Sequence, residues 1–179
     1  RWSSEPDGNL LGIGPSVSNP LTGEIISADV VNKLLAIKLG YNYRKLYGYT
    51  EDNDPLMQYI TNLTLHEVGH VLGLRHNFRG SYLYSPDEIH DKNITGNVLM
   101  SSVMDYDPIN IAPEGVEQGI YFSTEPGVYD KWAVKFGYTP NLTDEERTAL
   151  LQQSVKRELT FGTDDDAMSY PGNNIDPRT

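Results

Sequence analysis

His66-Glu67-Val68-Gly69-His70-Val71-Leu72-Gly73-Leu74-Arg75-His76 is the stretch on which the reading of this chain turns. Residues four apart share one face of an α-helix, so His66 and His70 point at one spot and can grip a single metal ion. Glu67 lies one position round from His66, where it reaches a water on that metal without being a ligand itself. Gly73 comes one turn after His70, and glycine enters a left-handed backbone conformation at little cost. A chain that leaves the helix there bends back and brings His76 to the same ion. Three histidines and a water make an open zinc site of the catalytic kind, unlike the closed four-ligand structural kind.

A lone His-Glu-x-x-His occurs by chance on many solvated helices. The chain has four His and sixteen Gly in 179 residues. In a shuffled chain of that composition the long form arises on the order of once in a hundred thousand. His90, the remaining histidine, sits in a polar segment and reads as a surface residue.

Composition sets limits. A chain of 179 residues is long enough for one domain with a sizeable core. The net charge of −11, from 14 Lys+Arg against 25 Asp+Glu, argues against nucleic acid or an anionic membrane as partner. There is no cysteine, so a metal site has to be built on histidine and no disulfide staples the fold. No apolar run approaches membrane-spanning length. The chain opens at Arg1 in strand-like sequence without Met or a signal-like segment, so it is expected to be part of a longer polypeptide with further domains.

Leu10–Ser18 and Gly23–Val31 flank the turn-rich Asn19-Pro20-Leu21-Thr22 and read as two strands. Pro15 and the glycines mark the first as an edge; the second reads as internal. Residues 32–47 carry Leu34, Leu35, Ile37, Leu39 and Leu46 at helical spacing. Asp54 as N-cap and Pro55 at the first helical position open the metal helix. That helix is apolar on more than one face and is expected in the middle of the domain. Ser85-Pro86-Asp87-Glu88 reads as a capping box opening a short helix. Thr124–Phe136 reads as a helix stopped by Gly137, and Thr143 to about Glu158 as another with Thr143 and Glu146 as its capping box. The polar tail from Gly162 reads as loop. Its Asp164-Asp165-Asp166 makes calcium possible, but the short spacing fits a solvated acidic turn as well and calcium stays unsupported.

Downstream lies Ser101-Ser102-Val103-Met104-Asp105-Tyr106. With the extended histidine motif, it resembles the metzincin clan of zinc peptidases, in which a methionine-containing turn lies beneath the metal. His66, Glu67, His70, Gly73, His76 and Met104 fill the clan's positions. Further phrases are similar to the bacterial met-zincin family of large exported zinc-dependent metalloproteases. These are Gly14-Pro15-Ser16, Thr22-Gly23-Glu24-Ile25, Asn110-Ile111-Ala112-Pro113 and Tyr129-Asp130-x-Trp132-Ala133.

The resemblance implies an α+β fold with an α/β-like zincin core. A mixed twisted sheet with an antiparallel cleft-edge strand would lie over a central zinc helix, followed by the Met-turn and C-terminal helices. Residues 1–179 would form one catalytic domain: 1–54 N-terminal strands and helix, 55–76 the zinc helix and third ligand, 77–179 the Met-turn and C-terminal helices. It also implies a metalloendopeptidase with one catalytic Zn²⁺ on His66, His70 and His76, and Glu67 as general base. The strand with Leu11, Gly12, Ile13 and Gly14 would pair with an extended peptide or protein substrate, and residues 106–113 would wall the pocket just after the scissile bond. Tyr106 stands where the astacins and serralysins place a tyrosine that reaches the zinc, so a catalytic role is expected of it beside the plainer one of lining the pocket. Location would be periplasmic, cell-surface or extracellular in a bacterium. Two alternatives stay open: a catalytically silent zinc- or peptide-binding module of the same fold, and a structural zinc domain, which would need a fourth protein ligand. Arg75 and Asn77 flank the third ligand and are candidates to orient His76, with a plain surface role equally open for Arg75.

Overall fold

Backbone pairing near the N-terminus is short and interrupted. The computed structural model describes residues 1–4 and 11–168. Its strands are β1 (Trp2–Ser3), β2 (Gly12–Ile13), β3 (Ser16–Ser18), β4 (Ile25–Ala28) and β5 (Val31–Lys33). Its α-helices are α1 (Leu34–Tyr47), α2 (Pro55–Val71), α3 (Lys92–Thr95), α4 (Val128–Tyr138), α5 (Asp144–Leu151) and α6 (Asp164–Met168). The result is a mixed α+β fold with a small mixed sheet. In it β5 pairs in parallel with β1 and antiparallel with β2, giving the order β1-β5-β2. A separate ribbon joins β3 to β4.

Each of the two long strands expected from the sequence is broken in two. Leu10 lies outside the described residues, and the rest of the first splits at Gly14-Pro15, where Pro has no N–H to give to a ladder. Its first half, β2, is an edge strand as expected. The second splits before Val31: only β5 is internal, while β4 lies in the exposed ribbon, with Ile26 and Val17 well exposed.

Among the helices, α1 starts two residues later than its leucine pattern suggests, because Asn32 and Lys33 are in β5. Leu34, Leu35 and Leu46 are exposed, and the buried positions of α1 are Ala36 and Gly40. Small residues there let α1 approach α2 closely: a Cβ on Gly40 would stand 2.5 Å from Leu56 Cδ1. Asp54 caps α2 by accepting the Leu56 N–H at 3.0 Å, and Arg44 grips the same carboxylate with two nitrogens. Only Met57 and Val68 of α2 are exposed, so this helix is central. Tyr59 joins Ala36, Tyr121 and Phe122 in the main core, against which Leu11, Leu39, Tyr43, Leu63 and Ile109 pack.

Toward the C-terminus the boundaries shift. The Ser85/Glu88 capping box forms, but it closes a turn, and the short helix α3 follows under the cap of Asp91. Gly137 lies inside α4, which runs to Tyr138 and stops before Pro140. Thr143 and Glu146 cap α5 as expected. Beyond Leu151 that helix gives way to the 3₁₀ turns Gln152–Val155 and Arg157–Leu159. The expected loop tail contains α6; residues 169–179 lie outside the described residues.

Candidate metal centre

Helix α2 ends at Val71, and Gly73 takes φ +84°, the left-handed conformation that turns the chain back. His76 thereby returns to the face carrying His66 and His70. Ring centroids lie 4.8 Å apart for His66–His70, 4.8 Å for His70–His76 and 5.4 Å for His66–His76. The ligating nitrogens all fall within 4.8 Å of one another, and among the described residues no carboxylate or further histidine joins this cluster.

The second nitrogen of each ring is engaged elsewhere. His66 Nδ1 donates to the Val103 carbonyl at 2.7 Å and His70 Nδ1 to the Leu74 carbonyl at 3.1 Å. His76 Nδ1 donates to Asp164 Oδ1 at 2.8 Å. A carbonyl or an ionised carboxylate only accepts, so the proton sits on Nδ1 and each Nε2 lone pair faces the metal position. Burial pushes His66 down to about 4 and lowers His70 as well, so these rings are neutral near pH 7. Three imidazoles of fixed tautomer, with no fourth histidine or carboxylate among the described residues, fit zinc with one open position.

Beneath the rings lies the methionine turn. Met104 is fully buried, and its carbonyl accepts the Asn77 N–H at 3.1 Å. A Cβ on Gly69 would stand 2.2 Å from Met104 Sδ, so the helix touches the turn through a residue without a side chain. Asp130 of α4 ties the turn from the other side. It accepts Ser102 Oγ–H at 2.6 Å, Val103 N–H at 2.8 Å and Gly127 N–H at 2.8 Å. Val103 is thus held at its N–H by Asp130 while its carbonyl orients His66.

Glu67 is buried, 5% exposed, and burial raises its carboxyl to about 7. Edge strand β2 covers it: a Cβ on Gly12 would stand 2.4 Å from Glu67 Oε1, and one on Gly14 2.2 Å from the Glu67 carbonyl oxygen. These glycines let the edge strand lie directly against the metal helix. Leu11, Gly12, Ile13 and Gly14 line a cleft of about 770 Å³ together with His66, Glu67, His70, His76 and Tyr106. The Tyr106 hydroxyl hydrogen-bonds His76 Nε2 at 2.8 Å, which brings it to the metal face of that ring.

Neither flanking candidate bonds His76 directly, and Arg75 is exposed, as one of its two readings had it. Asn77 is fully buried, but its side chain serves Thr160 and Gly162. Arg75 reaches His76 only through Asp164, to which it donates at 2.9 Å. Asp164 is the site residue that the sequence did not reveal, since nothing in an Asp run announces a partner 88 positions earlier. The hydrogen bonds from His76 and then Arg75 hold its carboxyl below the usual range. Asp166 of the same run accepts from Thr163 at the start of α6. His90 is half-buried with an enclosed Nδ1, in place of the surface residue expected, and stands apart from the cluster.

An ion-ready histidine triad at a helix end, seated on a buried methionine turn, defines a metzincin-type metal site. The chain belongs to the Met-zincin family, whose profile matches residues 49–179. No curated protein and no solved structure matches it.

Proposed function

We propose that this domain is a zinc metallopeptidase that cleaves peptide bonds within extended protein substrates. The observation that carries the proposal is the convergence of three Nε2 atoms, that of His76 in hydrogen-bond contact with the Tyr106 hydroxyl, beside a buried Glu67 side chain, all facing one cleft. Zinc, when bound there, lowers the pKa of a water at its open position from ~15.7 to roughly 7 and polarises the scissile carbonyl. Glu67 takes the proton of the attacking water and hands it to the leaving amine. A carboxyl raised toward neutrality suits both transfers. Strand β2 offers main-chain groups at the sheet edge, to which an extended peptide adds as a further strand. Tyr106, with its hydroxyl already at the metal face, donates a hydrogen bond to the oxygen on which charge develops.

The test is cleavage of an unfolded protein by the purified, zinc-loaded chain, followed by chelation and zinc restoration. The proposal expects activity that is lost with the metal and returns with it. About one zinc per chain with no turnover on any unfolded protein would instead mark a silent binding module. No helix among the described residues is long and apolar enough to cross a membrane.

A further inference from the structure

His76 is the ligand with the least local support. It lies beyond the end of α2, in chain without regular structure. His66 and His70 lean on backbone carbonyls, whereas the partner of His76 Nδ1 is a side-chain carboxylate. That carboxylate arrives on residues 160–164, which run along residues 77–78. Phe78 N–H donates to the Gly162 carbonyl at 3.0 Å. Asn77 Nδ2 donates to the Thr160 carbonyl at 3.1 Å, and its Oδ1 accepts the Gly162 N–H at 2.9 Å. On the far side Ala167 of α6 is buried. Both oxygens of Asp164 are used: Oδ1 by His76 and Oδ2 by Arg75, the ligand's own chain neighbour.

We propose that Asp164 is a positioning residue for the metal, brought to His76 by a strap of residues 160–164, so that zinc affinity depends on that strap being docked. The proposal rests on the zinc reading above. A carboxylate on Nδ1 keeps the proton there, turns the Nε2 lone pair toward the ion and raises its basicity. It also fixes the tilt of a ring that the helix no longer holds. Metal affinity in this fold then draws on a segment far from the histidine motif, and whatever undocks the strap weakens the site.

The experiment measures zinc dissociation constants by competition with a chromophoric chelator for wild type, Asp164→Ala and Asp164→Asn. Histidine ¹⁵N spectra of the metal-free proteins accompany it. Loss of such an outer partner typically costs about 10–100-fold in metal affinity, and that is expected of Asp164→Ala. Asp164→Asn keeps an accepting oxygen without the charge, so a smaller loss is expected. His76 should carry its proton on Nδ1 in wild type and Asp164→Asn, and become a tautomer mixture in Asp164→Ala, with His66 and His70 unchanged. A merely structural role would disturb all three rings together. Unchanged zinc affinity in Asp164→Ala, or in Asp164→Asn should the alanine variant not fold, overturns the proposal. An unchanged His76 tautomer in Asp164→Ala overturns it too. Absence of zinc binding by wild type overturns this inference and the peptidase reading together; zinc binding without cleavage overturns only the latter.

Discussion

Gly69 makes the room that Met104 fills. A Cβ at position 69 would lie 2.2 Å from Met104 Sδ, a separation that forces something to move. Helix α2 and the methionine turn are therefore matched to within one methyl group.

The first expected outcome follows from that contact. Gly69→Ala gains up to ~1 kcal/mol of helix propensity, but overpacking in a closed core costs typically ~1–3 kcal/mol. The variant should be less stable than wild type. Because the turn also holds His66 through the Val103 carbonyl, zinc affinity should fall with it. A thermal melt and a zinc titration check this; a variant as stable as wild type, with unchanged affinity, would show that the turn has slack.

Two glycines of the cleft edge should respond differently. At Gly12 the obstacle is Glu67 Oε1, the end of a flexible side chain; at Gly14 it is the backbone of Glu67 itself. Gly12→Ala should fold and keep its zinc while losing kcat, since it displaces the carboxylate that moves the proton. Gly14→Ala has no side chain to push aside and should lower the melting temperature. Equal melting temperatures for both variants would contradict this division.

The histidine spacing, the Gly73 bend and the Asp54–Pro55 helix start were legible in the sequence, because each is a local pattern with a local cause, whereas the methionine turn was implied only by the resemblance to the metzincins. What escaped was set by distant partners. Asp164 reads as one of three solvated aspartates until the chain returns it to His76. Nothing local to Gly69 announces its contact with Met104, which only the fold brings against it. The long strands failed at Gly14-Pro15 and before Val31, where the chain changes pairing partner between the sheet and the ribbon. Alternating patterns do not mark such changes. The leucines of α1 set the right period, but only Leu39 faces the core; Leu34, Leu35 and Leu46 are exposed, and Ala36 and Gly40 are the buried positions.

A pH dependence is expected from Asp107. Its Oδ2 accepts from Asn62 at 3.1 Å, while its buried Oδ1 finds no partner. Burial first, and then the charge of Asp105, raise it to about 8, against 3.8 for the unperturbed group. Between these values the folded protein keeps a proton that the unfolded chain has released, so rising pH costs stability across that window. Asp107→Asn removes the titration. Melting temperatures of the metal-free proteins at pH 5 and pH 8 should show wild type losing ground to the variant as pH rises. Parallel curves would mean that Asp107 is ionised in the fold.

Tyr106→Phe separates two roles for that ring, since it removes only the hydroxyl that contacts His76 Nε2. A hydrogen-bond donor to the developing oxyanion is worth roughly 3 kcal/mol, or on the order of 10²-fold in rate. A loss of kcat/KM of that size is expected, with zinc content unchanged. A loss of only a few-fold would leave Tyr106 as pocket wall.

The central claim is that Glu67, buried beside the histidine triad, carries the proton of peptide hydrolysis, and Glu67→Gln addresses it most directly. The substitution keeps the shape that β2 covers and removes only the basic oxygen. Zinc content and the rate of cleavage of an unfolded protein are measured side by side on wild type and variant. The account expects about one zinc per chain in both, and at least the ~10²-fold slower cleavage typical of losing general acid–base catalysis. Near wild-type cleavage by a fully zinc-loaded Glu67→Gln variant would contradict it.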